Sequence, residues 1–310
     1  MGRLAREGYW TSVLLVLLGA SSYGLMSPLI KHVYGFGYTF SQVVVHQLAA
    51  GTAMLWIVAA AAGKRRGASL RPRLSMGQWA GLALIGTAGL AMTTVLYNQA
   101  LHGLKASFAI VLLFQFTWIT IALDSIWSRR LPGWGRLGCV AVILAGTVLA
   151  LGIGRASWPH AAAMPLLCGL GAAVTYSLYL AGTGRFRADL NPAAASAIMV
   201  TFGFILVLAL FGRGAWAGDA EPRLVLWAVM LALLGQVIPT LLFTIGIPRI
   251  GSSLAALLGA MELPVAAAAA WLIGGETLSA LQLGGIAAIL AGIALAQKAP
   301  AKESPASLEE

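Results

Sequence analysis

Glu262 stands in the stretch GSSLAALLGAMELPVAAAAAWLIGGE, residues 251–276, where almost every neighbour is apolar. A carboxylate at such depth is costly unless something pairs with it. It is the only acid at mid-run depth, since Asp124 falls near the end of its own run and Glu276 closes this one. Facing water, it would bind an ammonium group or a proton. Between packed helices, it would be a protonated or hydrogen-bonded packing group. Both readings stay open from sequence.

Other polar and aromatic groups lie at similar depth. Gln115 and Trp118, in LLFQFTWIT, are three residues apart and share one face of a helix. An indole there offers a flat cation–π surface for an ammonium group. If the pair lines a cavity, Trp118→Ala impairs binding; otherwise it is a core aromatic beside a helix-bonding amide. Tyr23, Tyr176 and Tyr179 carry hydroxyls able to hold a solute or to meet each other as a gate. Gln236 is placed to hydrogen-bond across an interface. Thr93 completes the candidate set, although Thr93, Thr94 and Ser22 also suit bonds back into their own helices. The four histidines show no ligand spacing, and Cys139 and Cys168 read as small packing residues. No cofactor or metal is expected.

The elements that must position these groups are apolar helices. Hydrophobic residues make up 59% of the chain and charged residues 10%, against about 25% charged in soluble proteins; mean hydropathy is +0.86. Ten apolar runs of about 20 residues, the length that crosses a bilayer core, fall at 12–33, 41–62, 77–99, 106–127, 134–153, 161–182, 192–212, 224–246, 251–273 and 278–297. The expected fold is an all-α integral membrane protein of ten transmembrane helices, with the lipid bilayer as its surroundings. The first run is too long for a cleavable signal. Pro28, Pro239 and Pro264 are expected to kink their helices. Gly284, Ala288 and Gly292 form a small-residue packing stripe.

The net charge of +10 does not point to nucleic acid. With the N-terminus cytoplasmic, ten crossings leave only Lys31, Lys105, Arg155, Arg213 and Arg223 outside, and the other fifteen of the 20 basic residues inside. That bias places both termini in the cytoplasm. Residues 298–310 are expected to be a disordered tail. Oligomeric state is open, a monomer included.

Sliding the chain by 146 residues superposes ILAG at 143–146 on ILAG at 289–292, Gly89 on Gly235, Gly138 on Gly284, Thr94 on Thr240 and Tyr97 on Phe243. In the first run an offset of 153 pairs Tyr23 with Tyr176. The units are 1–155 and 156–297. Five helices per unit is an odd number, so the second unit enters the membrane inverted. Inverted repeats let one midplane site face each side in turn, which points to a transporter.

Pro264, Gly275-Glu276, Leu278-Ser279, Leu281-Gln282-Leu283 and Ile289 to Gly292 resemble the end of an EamA repeat, of the drug/metabolite transporter superfamily. In the first unit Arg129-Arg130 replaces the Gly-Glu pair. The resemblance implies a bacterial inner-membrane secondary transporter exporting small metabolites, similar in character to amino-acid exporters of the YddG type. Amino acids, aromatic or otherwise neutral, are then the expected substrate, and lipophilic-cation efflux by proton exchange at Glu262 the alternative. In the family, glutamate directly precedes the proline. Glu262-Leu263-Pro264 displaces it by one residue, or about 100° around the helix. Phosphorylated substrates would need central Lys or Arg, and none is present. No GxSxG, HExxH or paired mid-run acids suggest an enzyme.

Overall fold

The computed structural model describes residues 3–66, 74–104, 106–129, 131–150, 163–186, 190–215, 221–274 and 279–298. Glu276 and the tail from 299 lie outside the described residues. Everything regular among them is helical. The elements are α1 (Arg3–Tyr34), α2 (Phe40–Arg66), α3 (Met76–Leu84), a π-helical segment Ile85–Ala91, α4 (Met92–Gly103), α5 (Ala106–Leu113), α6 (Phe116–Ser128) and α7 (Trp134–Ala150). There follow α8 (Ala163–Arg185), α9 (Pro192–Ala215), α10 (Pro222–Ala232), a second π segment Leu233–Val237, α11 (Ile238–Ile250), α12 (Ser252–Gly259), α13 (Glu262–Gly274) and α14 (Ala280–Lys298).

Among the described residues, nine segments are long and apolar enough to span a membrane. The expected fifth run, 134–153, appears as the 17-residue apolar helix α7, and 151–162 lie outside the described residues.

The irregularities recur at the repeat offset. The two π segments overlap when shifted by 146, and the break at Phe114-Gln115 between α5 and α6 lands on Ala260-Met261 between α12 and α13. Three of the four have a local cause. Pro264 has no N–H for the Ala260 carbonyl, which accepts instead from Leu263 N at 3.3 Å, and the helix breaks there. In the first repeat Trp118 stands where Pro264 would, and Gln115 does the equivalent work. Its backbone N–H turns to Leu112 O, and its side-chain Nε2 caps the released Val111 carbonyl at 3.0 Å. At the second π segment, preceding Pro239, Ile238 N–H reaches Leu233 O, and the hydroxyl of Ser22 in α1 donates to Leu234 O at 2.7 Å. Pro28 leaves α1 helical throughout.

Helices of the two halves pair with each other. α7 packs on α14, α2 on α9, α1 on α11, and α4 on α8. The α7–α14 seam is intramolecular and drawn close by Gly146 and Gly285: a Cβ on Gly285 would lie 2.3 Å from Ala150 N. The expected stripe is therefore shifted. Gly292 belongs to it, whereas Gly284 faces open space.

One end of the bundle carries the turn joining α1 to α2, which Tyr38 links to the start of α10 through its hydrogen bond to Glu221 (2.8 Å). The other carries the Gly251 turn joining α11 to α12, together with the C-termini of α6 and α8. Helix α4 ends beside the α1–α2 turn, where Tyr34 donates to Asn98 Oδ1 at 2.9 Å. Its repeat mate α11 ends at the opposite side, so the mates run antiparallel.

Candidate substrate cavity

A cavity with about 700 Å³ of non-protein space, its open mouth included, lies between the halves. Tyr23, Met26 and Ile30 of α1, Gln47 of α2, Leu90, Thr93, Thr94, Tyr97 and Asn98 of the third span, and Leu113 line it from the first half. Tyr176, Gly235 and Glu262 line it from the second. It runs from mid-bundle toward the α1–α2 end: the lining residues of α1 lie in the half of that helix that ends there, and those from Leu90 to Asn98 lie in the second half of the third span, 76–103.

Glu262 owes its position to the break that Pro264 causes. It opens α13, where the positive end of the helix dipole suits an anion. Among the described residues it is the sole charged-type side chain on the cavity wall, and it makes no hydrogen bond or ion pair with any of them. The hydroxyls of Tyr23, Tyr97 and Tyr176 lie within its electrostatic reach. These three hydroxyls also make no hydrogen bond with a described residue. Gln47 is buried, and its Oε1 has no partner. The lining groups without a partner among the described residues are therefore one carboxylate, one amide oxygen and three hydroxyls. An ammonium group finds acceptors here, and a carboxylate finds donors in the tyrosines.

The repeat mate of Glu262 at offset 146 is Phe116. It is buried in an aromatic floor that reaches the cavity through Tyr176. Phe116 meets Tyr176 edge-on at 4.7 Å between centroids, and Tyr176 meets Tyr23 at 6.3 Å. Tyr179 stacks behind Tyr176 at 6.0 Å, and Phe243 lies 6.4 Å from Tyr179. Equivalent positions in the halves thus carry an acid on the wall and a ring on the floor.

Of the candidates read from sequence, Tyr23, Thr93, Tyr176 and Glu262 come together on this cavity. Thr93 donates to Gly89 O at 2.7 Å and lies 2.9 Å from the Thr175 hydroxyl, which ties the third span to α8. Four candidates lie elsewhere. Tyr179 is fully buried in the second layer of the floor. Gln236, next to the lining Gly235, is buried against Gly51 of α2. Gln115 and Trp118 do share a face, and the indole donates to Gln115 Oε1 at 2.8 Å, but Trp118 is 46% exposed on the outside of the bundle. Capping Val111 O turns Gln115 outward, and the indole follows it. Trp118→Ala is accordingly expected to leave transport within about twofold of wild type, well under the tenfold that 1.4 kcal/mol represents; initial uptake rates measure this.

Gln47, Tyr97 and Asn98 escaped the sequence reading as site residues. Tyr97 and Asn98 follow Thr93 and Thr94 by four residues, one helical turn, so the face was there to be extended.

A helical bundle of two antiparallel repeats, with broken helices at matching positions and a polar cavity between the halves, defines a repeat-built membrane transport protein. The chain matches the EamA-like transporter family over residues 10–152 and 163–297. It belongs to that family. A crystal structure of a protein sharing 20% identity superposes with a TM-score of 0.75, covering 92% of this chain and 96% of that one, and so shows the same fold. Among curated proteins none matches by sequence.

Proposed function

We propose that the protein is a secondary transporter exporting small amine-bearing metabolites, neutral and aromatic amino acids first among them, by alternating access through this cavity. The observation that carries the reading is Glu262, a carboxylate that among the described residues has no partner and shares a tyrosine-lined wall with no other charged side chain. An ammonium group neutralises it, while a substrate carboxylate reaches the free tyrosine hydroxyls. A phosphorylated solute would meet no cation.

In this reading the chain crosses a bacterial inner membrane ten times with both termini in the cytoplasm, as its basic residues favour. The cavity then opens outward, and the α11–α12 end is cytoplasmic. The site residues are Glu262, Tyr23, Tyr97, Tyr176, Gln47 and Thr93. A second reading, exchange of lipophilic cations for protons at Glu262, is favoured by the same lone acid and by ring faces suited to cations.

Proteoliposomes of the full chain, loaded with labelled amino acids or with a quaternary ammonium dye, separate the two. Amino-acid movement is expected with or without a proton gradient. Dye movement alone, dependent on the gradient, would replace the first reading with the second.

A further inference from the structure

The cavity runs from mid-bundle toward the α1–α2 end, and at the opposite end a single carboxylate ties three helices together. Asp124, near the end of α6, lies 2.8 Å from Arg185 Nη2 at the end of α8. The same nitrogen donates to the Asp124 carbonyl at 3.3 Å. Ser252 donates to Asp124 Oδ1 at 3.1 Å, and Ser253 to Oδ2. The guanidinium rests 4.8 Å from the Trp127 ring centroid. One helix of the first half is thereby tied to two of the second.

This cluster lies beyond the aromatic floor. Asp124 follows Phe116 by eight residues, Arg185 follows Tyr176 by nine, and Ser253 precedes Glu262 by nine. At 1.5 Å per residue the offsets on α6 and α8 are about 12–14 Å along the helix, and the third crosses the break between α12 and α13. Both serines are buried, and the acid and guanidinium are 27% and 37% exposed. Charge-assisted bonds from buried hydroxyls are stronger than those of an open surface pair.

The repeats reveal what the open end carries in the same places. At offset 146 Asp124 corresponds to Ala270, and Ser252 and Ser253 to Ala106 and Ser107; at offset 153 Arg185 corresponds to His32. No acid and no permanent cation stand there. Among the described residues the ion pair stands at the α11–α12 end, while the α1–α2 end is joined by the Tyr38–Glu221 hydrogen bond and by Arg223 over the Phe36 ring.

We propose that Asp124, Arg185, Ser252 and Ser253 form a latch that holds the α11–α12 end shut and biases the resting protein toward the state open at the α1–α2 end. This rests on the alternating-access reading above. To open the latched end, the start of α12 must leave α6, which strips Asp124 of its serine donors. The latch therefore sets how much of the population faces each way, without touching the substrate.

Two cysteine reporters read this without any substrate, and the native Cys139 and Cys168 are buried. Thr120→Cys lies on α6 between floor and latch, where Thr120 is fully buried; Met26→Cys lies on the cavity wall. Arg185→Gln or Asp124→Asn is expected to raise labelling of the Thr120→Cys reporter by a membrane-impermeant maleimide roughly tenfold from the latched side, and to slow labelling of the Met26→Cys reporter. Arg185→Lys keeps the ion pair and is expected to stay near the parent. Unchanged labelling of both reporters in Arg185→Gln and Asp124→Asn overturns the latch, whether or not their melting temperature falls. Altered labelling without transport of any amine supports the latch while removing the substrate reading. Amine transport with unaltered labelling does the reverse.

Discussion

Glu262→Gln is expected to reduce transport of amine-bearing solutes by at least about tenfold, the loss of some 1.4 kcal/mol of substrate binding. Glutamine keeps the shape of the side chain and a carbonyl acceptor but removes the charge. An ammonium group drawn out of water into the cavity would then have no counter-charge, and an uncompensated charge in a low-dielectric site is strongly disfavoured. No described residue depends on the carboxylate for a hydrogen bond, so folding is expected to be unaffected. Glu262→Asp restores the charge on a shorter arm and should recover part of the rate. Initial rates in proteoliposomes, with thermal melting in detergent as the folding control, measure both effects. A Glu262→Gln protein that moves amino acids at the wild-type rate would remove the carboxylate from the mechanism.

The second large effect concerns how the third span meets α9. Gly86 sits in the first π segment, and a Cβ there would lie 2.0 Å from the Met199 carbonyl oxygen and 2.9 Å from Met199 Cα. Gly203 approaches from the other side, its own added Cβ meeting Gly86 O at 2.9 Å. The atoms in the way are main chain and cannot rotate aside. Gly86→Ala is expected to cost about 1–3 kcal/mol, toward the upper end of the overpacking range. Loss of thermal stability in detergent is the readout. Gly138→Ala, where an added Cβ meets nothing within 4 Å, is the control that should melt like the parent.

Much of the architecture was legible before any coordinates. Pro264 and Pro239 mark where backbone donors are missing, and there the helix breaks or widens, whereas α1 continues through Pro28. The offset of 146 related the halves and, once the helices were seen, related their breaks as well. Glu262 stood out because a lone acid in an apolar run has few explanations.

Which face of each helix looks inward was not legible. In water, an apolar stripe aims a helix at its core, and polar residues mark its outside. In a bilayer the surroundings are as apolar as the interior, so the stripe carries no direction. Trp118 and Tyr176 looked alike as mid-run aromatics, yet one lies on the outer surface and the other on the cavity floor. Gln115 and Glu262 both looked like cavity groups, but Gln115 is consumed in capping its own broken helix.

The sequence by itself determined the membrane class, the repeat and the single central acid, because these follow from composition and spacing; of the three prolines it singled out, Pro239 and Pro264 coincide with irregular segments and Pro28 does not. Only the tertiary structure decided that Tyr97, Gln47 and Tyr23 share a cavity with Glu262, that Phe116 packs on Tyr176 beside it, and that Asp124 joins Arg185, Ser252 and Ser253. Those pairings join residues up to some 240 positions apart (Tyr23 and Glu262), and only the packing of helix on helix can bring them together.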